Sequence, residues 1–200
     1  MSAFNERISI LNTLYSKIYV SELTRMRLSS RYLDEAVKCF SQNLNISCIV
    51  VSSALIERTL FFEKIRRQPQ KAGETMRTPT LGGLFKFFIE WDLLRENLLY
   101  RIERLNLELM NERGRSKQTI DKEICGSRFI KTRNLFAHGK ELLIPIPLSH
   151  LLPDNEEALS SYGIEWDEFF NPSIDTIAYV HLIRTLRFMR AYSDFLKKEE

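Results

Sequence analysis

Hydrophobic residues recur at steps of three and four along most of the chain, and no stretch sustains the two-residue alternation of a strand. The pattern therefore predicts an all-α protein. Between about Phe4 and Met26, Ile8, Leu11, Tyr15 and Ile18 form one amphipathic stripe. Ser29 and Ser30 are placed to cap a second helix carrying Leu33, Ala36, Val37, Phe40 and Leu44, with Asp34 and Glu35 near its start to complement the helix dipole. Asn43-Leu44-Asn45 interrupts it. The third helix, from about Ile46 to Arg67, is the most apolar of the early elements and is expected at the centre.

Breaker residues Pro69, Gly73 and Pro79 mark a connection from Gln68 to Pro79. Beyond it, Leu81, Leu84, Phe85 and Phe88 predict a fourth helix opened by Thr80, and Leu98, Ile102, Leu105 and Leu109 a fifth. A sixth spans about Thr119 to Ala137 and stops before Gly139, a residue suited to the left-handed turn that ends helices. From Glu141 to Asn171, Pro145, Pro147 and Pro153 break the period, and only Ile164 to Phe170 reads as a short helix. So long an irregular stretch suggests a lid or an interaction segment. Asn171-Pro172 then opens a last helix, Ile174 to Lys197, apolar on most sides and so either central or buried against a second chain. The expectation is one antiparallel helical bundle over residues 1–200, with its core in about 30–140 plus 172–198 and an irregular insertion at 141–171.

Composition adds limits to this picture. The chain is 44% hydrophobic and 28% charged with few Gly and Pro, which suits a folded domain and not a disordered one. Glu6 and Arg7 interrupt the apolar N-terminus as no signal peptide would allow, and no run was expected to approach a membrane span. A cytoplasmic protein without membrane partners follows. Cys39, Cys48 and Cys125 lack zinc-ligand spacing and read as small buried side chains in a reducing compartment. The net charge of +3 says little, but between Arg113 and Lys140 eight Lys or Arg face only Asp121 and Glu123. That local excess fits a polyanion such as nucleic acid, and equally a solvated helix face.

The richest chemistry lies at the end of the sixth helix, in Arg133-Asn134-Leu135-Phe136-Ala137-His138-Gly139. At helical steps the side that carries Ile120, Ile124, Ser127 and Ile130 continues to Asn134 and His138, so polar residues stand where the core pattern asks for apolar ones. Five residues rotate by about 140°, which puts Arg133 off the line that Asn134 and His138 share. Arg133 must reach round, or meet the His138 of a second protomer. On the third helix Glu57 lies on or beside the face of Ile46, Val50, Ser53 and Phe61. An internal Arg could pair with it, but the plainer and preferred reading is a rim residue paired with Arg58 or Lys64. His181, among Ile174, Ile177, Ala178 and Phe188, reads as a core or interface histidine, and His150 has no partner in view. Three scattered histidines support no metal site, and no cofactor is expected.

Arg133-Asn134 and His138 near the end of a helix in an all-α chain resemble the Arg-x4-6-His signature of the HEPN superfamily. Tyr32-Leu33-Asp34-Glu35-Ala36 and the stretch from Ile49 to Glu57 are similar to the two helices that precede the motif in prokaryotic members. The resemblance covers roughly residues 30–140 plus a closing helix. It implies a helical bundle that forms a homodimer and, in many members, a metal-independent endoribonuclease with a composite site, of toxin or antiviral-defence type. His138 would move protons, Arg133 would stabilise the phosphorane, and Asn134 would orient a side chain or the phosphate, leaving 2′,3′-cyclic phosphate and 5′-hydroxyl ends. A helix C-terminus should favour the imidazolium of His138. Arg128, Lys131 and Lys140 would hold flanking phosphates, with Glu57 as possible support. An antitoxin or a nucleotidyltransferase is the implied regulatory partner. The same resemblance includes non-catalytic members, so a helical dimerisation or adaptor module that binds a nucleotide or protein partner is the alternative.

Overall fold

The structure is a computed structural model, and it describes residues 3–18, 27–67, 83–84, 128–138, 148, 159–160 and 162–198. Of the interpretable part 87% is helical and none is strand, so the fold is all-α as the periodicity predicts. The described helices are α1 (Ala3–Tyr15), α2 (Arg27–Ser41), α3 (Asn45–Arg67), α4 (Arg128–Ala137), the short α5 (Trp166–Phe170) and α6 (Ile174–Lys198). The expected fifth helix, most of the fourth, the Gln68–Pro79 connection, His150 and Cys125 lie outside the described residues.

Two boundaries differ from expectation. Helix α1 stops at Tyr15 and not near Met26, because its last turn tightens: the Lys17 and Ile18 amides donate to the Leu14 and Tyr15 carbonyls at 3.2 and 3.0 Å, and the Ser16 hydroxyl donates to the Thr13 carbonyl. Helix α2 is already formed at Arg27, which places Ser29 and Ser30 inside it and leaves Asp34 and Glu35 too far along to act on its dipole. Its end is built as expected around Asn43, whose φ of 58° supplies the left-handed residue. The Leu44 amide reaches back to the Cys39 carbonyl at 2.8 Å and Asn43 to Phe40 at 3.0 Å, so the exposed carbonyls are satisfied and the chain turns directly into α3. Helix α6 opens through Ser173, whose hydroxyl accepts from the Thr176 amide at 3.4 Å, while Asn171 closes α5.

Helices α3 and α6 pack on each other and carry the centre. Helix α2 packs on both, α1 on α6, and α4 on α3. Every residue of α6 from Thr176 to Leu186 is buried, as are Phe188, Met189 and Tyr192. Burial of each large apolar side chain contributes on the order of 1.5–3 kcal/mol, so this helix dominates the core. Phe40 of α2 sits between Phe4 of α1 and Tyr179 of α6, with ring centroids 5.8 Å apart on both sides. Cys39 and Cys48 are buried free thiols, and burial pushes the Cys48 thiol up to about 12. Leu148, Leu159, Tyr162, Ile164 and Phe169 are buried too, so the 141–171 stretch is anchored in the core through these residues.

The expectation that no run approaches a membrane span fails on α3: Asn45–Arg66 is long and apolar enough to cross one by length and composition. Its polar residues show what it packs against. The Ser53 hydroxyl lies 2.9 Å from His181 Nε2, and the fully buried Glu63 carboxylate accepts from the Tyr192 hydroxyl at 2.8 Å, both partners being on α6. Arg66 closes a two-pronged bond on the same carboxylate at 2.7 and 2.9 Å. An apolar central helix meets the same length and composition test as a membrane span.

Candidate functional site

Helix α4 is held to α3 by one side. Thr132 and Phe136, one turn apart, are buried, and Leu135 packs partly against the core. That choice of inner face fixes the rest. Arg133 falls about 100° round from Thr132, and Asn134 and His138 about 200° and 240° round, on the side away from Thr132. Thr132 and Phe136 are the buried positions of this turn, Asn134 lies between buried and exposed, and His138 is open to solvent, so His138 does not take a core position.

Arg133 joins the two helices. Its Nη2 donates to Glu57 Oε2 at 3.4 Å and its Nη1 to Asn134 Oδ1 at 2.9 Å. Glu57 thus lies part-exposed at the rim, as the preferred reading has it, but its partner is Arg133 in place of Arg58 or Lys64. Arg58 instead lies 5.4 Å over the Tyr32 ring. Both ends of the Glu57–Arg133 pair keep access to solvent, at 23% and 32% of their side-chain surface. That exposure decides the role open to the guanidinium: two of its five N–H donors face protein, and the others can meet an anion. At 3.4 Å and part-exposed, the pair orients Arg133 more than it stabilises the fold, which such pairs do by about 0–1 kcal/mol.

His138 follows the last residue of α4, and its amide still donates to the Asn134 carbonyl at 3.1 Å. The helical path thus runs one residue further and sets His138 one turn beyond Asn134. Of the three residues expected to act together, Arg133 and Asn134 are in contact, and His138 is joined to them through the Asn134 backbone. Arg128 and Lys131 lie on the helical backbone of α4, and Lys140 lies outside the described residues.

The second described histidine can be set aside as a proton carrier. His181 is fully buried on α6, and burial, assisted by the nearby Arg184 charge, lowers its pKa to about 3. Because the Ser53 hydroxyl donates its one proton to the Ile49 carbonyl at 2.8 Å, the 2.9 Å contact has His181 Nε2–H donating to Ser53. The ring is a neutral core residue, as its position among apolar neighbours suggests.

Sequence reasoning missed Arg7. It is buried, and its guanidinium binds Glu168 of α5, Asp175 of α6 at 3.0 Å and the Thr176 hydroxyl at 3.4 Å, while lying 5.1 Å over the Tyr179 ring. Its signal was present: Arg7 stands three residues after Phe4 and four before Leu11, on the inner stripe of α1. Among the described residues no three of His, Cys, Asp and Glu converge as a metal site requires. Compared with known proteins, the chain matches no family model, no curated protein and no solved structure.

Proposed function

We propose that the chain is a HEPN-like, metal-independent endoribonuclease that acts in the cytoplasm as a toxin or antiviral effector. The observation that carries the reading is the part-exposed Arg133 guanidinium, oriented by Glu57 and Asn134, with an exposed His138 one turn further along. RNA brings its own nucleophile, so a proton carrier and a fixed cation suffice. The 2′-oxygen attacks phosphorus as its proton passes to a base, the bond to the 5′-oxygen breaks, and the departing oxygen takes a proton from the His138 imidazolium. Arg133 balances the charge on the phosphorane. The products are a 2′,3′-cyclic phosphate and a 5′-hydroxyl. Arg128, Lys131 and Lys140 hold flanking phosphates.

A homodimer belongs to this proposal. Each site then gains a second His138, which supplies the base that one imidazolium cannot be at the same moment. Ile46 and Val50 support it: both are exposed, and at 100° per residue they share the side of α3 that carries Ala54 and Glu57, so an apolar strip runs to the edge of the site. A symmetric contact along that strip would bring two Arg133/His138 sets toward one axis. An antitoxin or nucleotidyltransferase partner would silence the pair.

A second reading, a non-catalytic HEPN-like dimerisation or adaptor module, is favoured by one observation: His138 is an exposed residue at the end of α4, where a polar side chain is ordinary. The two readings separate on the chemistry of the substrate. Wild-type protein in EDTA is expected to cut a labelled RNA and to spare the same strand with 2′-deoxy sugars, because only the first carries the nucleophile. Equal cutting of both, or of neither while the protein remains a folded dimer, selects against the ribonuclease.

A further inference from the structure

Helix α5 and the residues beside it bring exposed aromatic rings and carboxylates together. The helix is five residues long, too short to hold its shape unaided, and two attachments fix it. Phe169 is buried in the core, and Glu168 is bound by the buried Arg7, which also holds Asp175 at the start of α6. With Phe169 committed inward, Trp166 and Phe170 face outward one turn apart. Their rings stack at 5.9 Å and 18°, and Phe169 meets each edge-on. Phe170 is 63% exposed and Trp166 41%, and Ile174 four residues on is 40% exposed. Large apolar side chains held rigidly in water in this way are the composition of an interface anchor.

The charge around them identifies the occupant. Glu165 and Asp167 are exposed and flank Trp166, while Glu168 and Asp175 lie just behind with Arg7 as their shared cation, and Arg187 over the Tyr162 ring is the second guanidinium nearby, so carboxylates outnumber cations around the rings. A stacked aromatic pair could receive a nucleobase, but a phosphate chain would have to run past these carboxylates. A Lys or Arg side chain meets favourable terms throughout: the carboxylates attract it, and the faces of Trp and Phe rings attract cations as well. The chain itself uses that contact, with Arg187 at 4.2 Å over Tyr162 and Arg58 over Tyr32.

We propose that the Trp166–Phe170 face, rimmed by Glu165 and Asp167, is a docking site for a basic protein segment that inserts apolar side chains between its lysines or arginines. The site is independent of the cleavage chemistry at α4. Its preformed rings lose little side-chain freedom on binding, and its charge makes association salt-sensitive.

The test uses the full chain and a fluorescein-labelled helical peptide of Lys and Leu, followed by anisotropy, beside its Glu-for-Lys twin and a labelled single-stranded RNA. The Lys peptide is expected to bind, to bind more weakly as salt rises, and to lose at least tenfold in affinity with Phe170→Ala and severalfold with the double charge change Glu165→Gln/Asp167→Asn. The Glu twin is expected not to bind, and RNA affinity to be the same for wild type and Phe170→Ala. Circular dichroism checks that each variant is folded, and the charge variant leaves the apolar packing intact. Failure of the Lys peptide to bind, equal binding by the Glu twin, or equal affinity for wild type and folded Phe170→Ala overturns the proposal. Loss of RNA affinity in Phe170→Ala overturns it in favour of a base-stacking platform.

Discussion

Arg7 and Arg133 are the same chemical group in two settings, and the contrast separates what builds this molecule from what it offers to a ligand. Arg7 is buried and answered by two carboxylates, a hydroxyl and an aromatic face. Arg133 keeps about a third of its side chain in water, with one carboxylate at 3.4 Å and the neighbouring amide. The two described histidines divide in the same way: His181 is buried and neutral against Ser53, and His138 is exposed at a helix end. A cation buried among its partners ties α1, α5 and α6 together. One whose donors are left open can bind an anion.

The largest effect should come from the inner member of the pair. Arg7→Ala removes the guanidinium shared by Glu168 and Asp175, and breaking such a buried pair costs about 3–5 kcal/mol. Because both carboxylates are about a third exposed, the lower end, about 3 kcal/mol, is expected in urea unfolding. A loss below about 1 kcal/mol would erase the distinction from Arg133.

Next comes a pH effect from the inner histidine. Its folded pKa of about 3 lies below the ordinary value of 6.5, so the unfolded chain binds the proton that the folded chain refuses. Stability is therefore full above the unfolded pKa and falls as pH drops from there toward 3. Between pH 8 and pH 5 that one group should remove about 2 kcal/mol, before most carboxylates titrate. The urea midpoint of wild type should fall over this range, and that of a folded His181→Gln variant should fall less. Parallel curves would mean that His181 accepts its proton without unfolding.

Smaller effects sharpen the outer site. Glu57→Gln should change stability by less than about 1 kcal/mol, since the pair is long and part-exposed. If Glu57 orients Arg133, the same change should still slow RNA cleavage by about tenfold, or about 1.4 kcal/mol in the barrier, through kcat more than KM. Equal loss in stability and rate would make Glu57 a structural partner only. Val50→Lys, on the exposed strip of α3, should shift sedimentation toward monomer while the helical signal holds.

How much of this was legible in the sequence follows from the reach of each signal. Helix α3, the short α5 and α6 could be read within a residue or two, because their periodicity is sustained and their ends carry Asn43, Asn171 and Pro172. The Glu57–Arg133 contact was only one option in the sequence, because it joins residues 76 positions apart and no local pattern encodes which carboxylate a distant arginine meets. Along α4 the burial of Thr132 and Phe136 and the exposure of His138 depend on what packs over that turn, which a stripe read from Ile120, Ile124 and Ile130 does not encode. Arg7 was legible as a charge on an apolar stripe, though its partners, at positions 168, 175 and 176, were not.

The most direct test of the outer site compares wild type, His138→Ala and Arg133→Ala on one labelled RNA in EDTA, with end-group analysis and unfolding curves for all three. The account predicts cyclic-phosphate ends from wild type and a loss of at least about a hundredfold in rate for each variant. Stability should change by less than about 1 kcal/mol for either, because neither side chain is buried. Cleavage that survives in folded His138→Ala, or a pair of variants that lose stability as Arg7→Ala does, would contradict it.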